Sequence, residues 1–181
     1  MAGVSFTSER LLLVEGSGDK LFFEVFLSEV GVPACDLYVF EGNTQFRRNL
    51  KAVVNAPGFD RVRRVAIVRD AEADAHATFQ STQDALVAAG LAAPDVIGGF
   101  EGSRPQVGVY LIPGGDEPGM IESLFLKCHQ RNPNMMCVKA FQDCVAANGK
   151  LPRNKPKAAA QTLLSSMEEY VSGVGIAAKR G

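Results

Sequence analysis

Four short runs along the chain are nearly continuous in apolar, β-branched-rich character: "RLLLVE" over 10–15, "LYVF" over 37–40, "VRRVAIVRD" over 62–70 and "VGVYLI" over 107–112. Runs of this length without strict alternation predict strands covered on both faces, as in a mainly parallel sheet flanked by helices. Between them lie segments of helical period over Asp19–Val30, Thr44–Val54 and Thr78–Ala89, the last with Phe79, Leu86 and Ala89 near one face. Gly31-Val32-Pro33 and Gly90 supply helix stops. The alternation of strand and helix predicts an α/β layered domain with right-handed crossovers.

After Ile112 the pattern changes. "PGGDEPGM" is a turn cluster, and the segments Met120–Gln130, Met135–Ala147 and Pro156–Val171 all read as helical. The expectation is one domain over 1–181, with an α/β core over 1–117 and a helical part over 118–181 that caps the sheet. The stretch 91–106 is long for a connection and rich in Gly and Pro, so it is either a functional loop or the site of a short strand.

Composition narrows the class. At 181 residues, 46% hydrophobic and 22% charged, the chain has the makings of an ordinary globular domain with one substantial core. No apolar run approaches the roughly 20 residues that cross a bilayer, and "MAGVSFTSER" lacks the layout of a signal peptide. A cytoplasmic protein without membrane contact is the expectation. The formal charge of −1 gives no global basic field, so a nucleic-acid partner would have to be held by local patches. Cys35, Cys128, Cys137 and Cys144 form no CxxC pair, and His76 and His129 are too few to complete a zinc site. The cysteines read as reduced and mostly buried, Met135 and Met136 as core fillers, and the histidines as ordinary surface or helix residues.

The acids fall in a more telling pattern. In an open α/β sheet, ligands bind at the carboxyl ends of the strands. Glu15 ends the first predicted strand, Asp70 ends the third and is followed by Glu72 and Asp74, and the fourth leads on to Asp116, Glu117 and Glu122. Crowded carboxylates repel one another unless a cation offsets them or a proton is retained. A hard divalent ion suits this, since magnesium takes oxygen ligands and needs only two or three from the protein. The spacing of Asp70-Ala71-Glu72 lets both acids leave an extended strand end on the same side, with Ala71 and Ala73 keeping the approach open. Taken singly, Asp19 and Glu122 also suit the first turn of a helix, and Asp74 an N-cap region. "EGSGD" lacks both the Walker lysine spacing and the full GxGxxG pattern.

"LLLVEGSGDK" resembles the opening motif of Toprim domains, shared by topoisomerases, bacterial primases and OLD-type nucleases, and "VAIVRDAEAD" resembles their strand-ending DxD motif. With "GVYLIPGG", "GMIESLFL", "KPKAAAQTLL" and "GIAAKRG", nearly the whole chain resembles a small stand-alone Toprim-type family related to the OLD-type nucleases. The resemblance implies a Toprim-like, Rossmann-like sheet. It implies that Glu15 is a general acid/base or metal ligand, and that Asp70 and Glu72 bind Mg2+ or Mn2+. Asp19 and Asp74 would be supporting ligands, and Glu122 would complete a second metal site. The chain departs from the family in carrying Glu72 where aspartate is usual, and related chains tend to continue past the "AAKRG"-like segment.

Three basic clusters, Arg47/Arg48/Lys51, Arg61/Arg63/Arg64 and Lys150/Arg153/Lys155/Lys157, are candidates to contact substrate phosphates. The resemblance singles out Lys157, because a basic residue precedes the corresponding helix in that family. Tyr38, Tyr110 and Tyr170 lie in strand or helix contexts without a strand-passage module, so topoisomerase chemistry is not expected. The expected function is a Mg2+- or Mn2+-dependent nuclease or phosphohydrolase acting on phosphodiesters. The alternative is a noncatalytic Toprim-fold module that binds DNA, RNA or a protein partner. A Rossmann-like small-molecule phosphate binder is less favoured, since the glycine fingerprint is missing.

Overall fold

The computed structural model describes residues 4–42, 45–149, 152–167 and 173–180. Its strands are β1 (Arg10–Val14), β2 (Asp36–Val39), β3 (Arg64–Asp70), β4 (Phe100–Glu101) and β5 (Gln106–Ile112). Its helices are α1 (Ser17–Glu29), α2 (Phe46–Val54), α3 (Ala75–Ala88), α4 (Ile121–Cys128), α5 (Met135–Ala147), α6 (Lys155–Leu164) and α7 (Val174–Arg180). The sheet order is β2-β1-β3-β5-β4, with every pair parallel except β4–β5. The fold is therefore α/β, with a mostly parallel sheet between helical layers and a helical C-terminal region.

Alternation along the strands explains the layers. Leu11, Leu13, Val65, Ile67, Val107, Val109 and Leu111 turn to one face and pack with Phe46, Leu50 and Val53 of α2 and Phe79 and Leu86 of α3. Val68 and Ile112 turn to the other face, against Phe22 and Phe23 of α1, Ile121 of α4, Ala160 and Leu164 of α6, and Val174 of α7. The C-terminal helices thus complete the second layer that α1 begins.

The segment 91–106 holds a short strand, the antiparallel edge β4. The helix expected over Pro156–Val171 ends at Leu164, where Ser165, Ser166 and Met167 turn, and a further helix begins at Val174. Position 44, the expected start of α2, lies outside the described residues, as do Lys150 and Tyr170. Two packing expectations are corrected. Cys128, at the end of α4, and Cys137 and Cys144 of α5 are exposed free thiols and only Cys35 is half-buried; α5 enters the apolar cluster through Val138 and Met135, not through its cysteines. Met136, on the outer side of that helix, is 79% exposed and fills no core.

Candidate metal centre

The strand register brings the acids together. Leu13 pairs with Ile67, so two residues further on Glu15 stands beside Arg69, with Asp70 next in line. β1 ends at Val14 and α1 starts at Ser17, so the Glu15–Gly16 link is short and leaves the Glu15 side chain at the rim. Asp70 belongs to the opposite face of the sheet from Arg69, and its Oδ1 accepts the Ile121 amide at 3.1 Å. That bond ties the strand-end acid to the first turn of α4.

Glu72 reaches the same place by a route that differs from the expected one. β3 stops at Asp70, and Glu72 has φ 58°, in the left-handed region. An antiparallel bridge to Gly119 holds it there, with both N–H to O=C bonds made at 2.8–2.9 Å. Gly119 itself has φ +144°, and a β-carbon there would stand 3.0 Å from both Pro113 and Ser123, so the bridge depends on glycine. The two acids of "DAE" therefore converge through a turn, not through the pleat of one extended strand. Ala71 does not line their approach; it is buried in the core beneath α3.

One carboxylate oxygen each from Glu15, Asp70 and Glu72 lie within 4.8 Å of one another, the one such group of three among the described residues. Oxygens on an ion at 2.0–2.1 Å stand about 3 Å apart when adjacent and about 4.2 Å when opposite. Three carboxylate oxygens within 4.8 Å of one another, one of them on the exposed Glu72, are a donor set of the kind a hard divalent cation takes. The group sits in a cleft of about 530 Å³ also lined by Asp19, Glu41, Glu122, Asn154 and Lys157. Six carboxylates thus face one ammonium group, which favours a cation as the cleft's ligand.

Burial and mutual repulsion act on these acids as that arrangement demands. Asp70 is pushed up to about 8, first by burial and then by the charges of Asp19 and Glu15, with the Ile121 amide only partly offsetting them. Burial raises Glu15 as well, against the pull of Arg69, and burial likewise raises Asp19, against the Gly16 amide. One strongly raised acid with two more raised beside it in one cleft is a pattern of functional sites.

The remaining candidates separate cleanly. Asp19 lines the cleft while its Oδ2 accepts the Gly16 N–H at 2.8 Å, so the helix-start and cleft readings hold together. Glu122 lines the cleft in the first turn of α4, outside the close group of three. Asp74 is drawn off: its Oδ1 caps α3 by accepting the Ala77 amide at 3.0 Å, and it does not line the cleft. Asp116 lies 4.0 Å from His76 and Glu117 pairs with Lys127, so these two also turn elsewhere. Lys157 lines the cleft, with its amide bonded to the Asn154 side chain that caps α6. Arg47 and Arg48 are exposed on α2 and do not line it.

Sequence reasoning passed over Arg69. It is 1% exposed, and its Nε donates to Glu15 Oε1 at 3.1 Å while an Nη donates to Thr82 Oγ1 at 2.7 Å. The signal was available in the pattern: Val65, Ile67 and Arg69 alternate onto the buried face, and a charge in that register beside a strand-end glutamate calls for a partner.

Residues 9–180 match a family described as "Protein of unknown function (DUF3226)". No curated protein and no solved structure matches the chain. The match runs from just before β1 to the end of α7 and contains Glu15, Asp70 and Glu72, and the chain belongs to this DUF3226 family.

Proposed function

We propose that this protein is a Toprim-like, Mg2+- or Mn2+-binding hydrolase of phosphodiesters, a nuclease or phosphoesterase working in the cytoplasm. The observation that carries the reading is the convergence of Glu15, Asp70 and Glu72 from separate segments within 4.8 Å. Those three would hold the ion, and Asp19 and Glu122, which line the same cleft, would support a second. A bound divalent ion supplies charge neutralisation at the phosphoryl group and a water of lowered pKa. The chain's own part is to keep Asp70 fixed against the α4 amide, to hold Glu15 beside the reacting phosphate as ligand or proton acceptor, and to offer the Lys157 ammonium to a phosphate oxygen.

The second reading, a noncatalytic module that binds nucleic acid or a protein, is favoured by Glu72. Its carboxylate is exposed and carried on a left-handed turn, one methylene longer than the aspartate of the resembling motif. Purified protein with Mg2+ or Mn2+ is to be assayed against DNA, RNA and small phosphoesters beside Glu15→Gln and Asp70→Asn. Cleavage by the wild type alone supports the hydrolase. Equal background from all three proteins, together with metal binding by calorimetry, leaves the binding module.

A further inference from the structure

Arg69 is an expensive residue to place where it lies. A buried guanidinium must recover its lost hydration from fixed partners, or the fold is destabilised. Several such partners are visible among the described residues. Glu15 Oε1 accepts from Nε at 3.1 Å, Thr82 Oγ1 accepts from an Nη at 2.7 Å, and the guanidinium carbon lies 4.8 Å from the centre of the Phe46 ring. The Phe40 ring is a further neighbour at 5.9 Å.

The support continues behind Arg69. Thr82 is wholly buried and donates its own hydroxyl to the Thr78 carbonyl at 2.7 Å. Thr78, one turn earlier on α3, donates its hydroxyl to the carbonyl of Ala71, the residue between Asp70 and Glu72, at 3.2 Å. Two threonines on one helix thus brace both sides of the acidic group, one through Arg69 to Glu15 and one directly to the "DAE" turn.

We propose that Arg69, anchored by Thr82 and the Phe46 ring, is the positioning residue of the centre: it fixes Glu15 Oε1 and leaves the other carboxylate oxygen to the divalent ion. This rests on the metal-centre reading above. The competing account makes Arg69 only a buried positive charge, and the two differ in sign. A cation beside a cation site repels the metal, so removing a mere charge tightens binding. Removing a positioning residue weakens binding, because Glu15 is then no longer held; outer partners of metal ligands typically contribute about 10- to 100-fold in affinity.

The test is calorimetric titration of the full chain with Mn2+, with metal-free melting curves alongside. Arg69→Met is expected to bind Mn2+ about 10- to 100-fold more weakly than wild type. Arg69→Lys recovers part of the loss, and Thr82→Val falls between. In a Glu15→Gln background, Arg69→Met adds no further loss, since its action passes through Glu15. Unchanged or tighter binding by a folded Arg69→Met overturns the proposal. If that variant fails to melt cooperatively, unchanged affinity in both Arg69→Lys and Thr82→Val overturns it instead. No Mn2+ binding by the wild type removes the metal-centre reading and this inference together, whereas wild-type binding with indifferent variants removes this inference alone.

Discussion

The Asp70 carboxylate is tied to the Ile121 amide at 3.1 Å, which fixes a strand-end acid to the first turn of α4 while leaving it among other acids in a cleft. One backbone donor does not offset burial together with the Asp19 and Glu15 charges, and Asp70 is pushed up to about 8 from an ordinary 3.8. Folded chain then binds more protons than unfolded chain between those values, so stability falls as pH rises through that window. Metal-free protein is expected to melt at a higher temperature near pH 5 than near pH 8. Asp70→Asn flattens the trend and stabilises the protein near pH 8 by about 1–3 kcal/mol, below the full value of the shift because solvent shares the charge. A melting series at several pH values checks this; a wild-type profile that rises steadily toward pH 8 refutes it.

The same proton links to metal binding. A carboxylate must be ionised to bind a cation, so ion binding near pH 7 displaces the Asp70 proton. Titration in two buffers of different ionisation enthalpy is expected to report proton release in the wild type and less in Asp70→Asn. Affinity for Mn2+ rises as pH is raised from about 6 to about 8.

Glu72 separates backbone strain from chemistry. Its φ of 58° suits asparagine but not a β-branched residue. Glu72→Asn is expected to keep the bridge to Gly119 and the melting temperature while weakening Mn2+ binding about tenfold. Glu72→Val loses the carboxylate and adds backbone strain of about 1–3 kcal/mol. Melting curves paired with metal titration distinguish the two, and equal destabilisation by both substitutions would contradict the assignment of strain to the backbone.

How far the sequence speaks depends on how local the cause is. The strand and helix pattern was legible because burial on both faces of a parallel sheet leaves long apolar runs, and the neighbouring places of Glu15 and Asp70 followed from the ends of β1 and β3. Arg69 was obscured because its meaning needs the β1–β3 register, which places it beside Glu15. The left-handed turn at Glu72 depends on a bridge to the distant Gly119, so local alternation suggested an extended strand instead. Asp74 carried no mark to distinguish a cap from a ligand until its carboxylate was placed on the Ala77 amide. The break after Leu164 was equally hidden, since Ser165, Ser166 and Met167 do not disrupt the helical apolar period.

Gly175, which opens the "GIAAKRG" motif, has a physical role in the fold. A β-carbon on Gly175 would stand 2.0 Å from the Gly18 carbonyl oxygen, so the first turns of α7 and α1 touch backbone to backbone. Gly18 immediately precedes the cleft acid Asp19. Gly175→Val is expected to push α7 off α1 and destabilise the protein by about 1–3 kcal/mol. Gly173→Ala is the control: nothing lies within 4 Å of its added carbon, and its effect should stay within about 0.5 kcal/mol. Denaturant unfolding of the two variants checks the contrast.

Among the basic residues proposed to meet phosphate, geometry favours one. Lys157 lines the acidic cleft and its charge offsets that of Asp19, whereas Arg47 and Arg48 are exposed on α2 and do not line it. If a phosphodiester polymer occupies the cleft, Lys157→Gln is expected to weaken its binding and make the dependence of log affinity on log salt shallower by about 0.7–0.9, the loss of one phosphate contact. Arg47→Gln with Arg48→Gln leaves both quantities near wild type if the polymer engages the cleft alone. Fluorescence anisotropy with labelled single- and double-stranded oligonucleotides in Ca2+, across a salt series, measures both. A larger loss from the arginine pair than from Lys157 would place the polymer across α2 instead, and the acidic cleft would then have to act on something smaller.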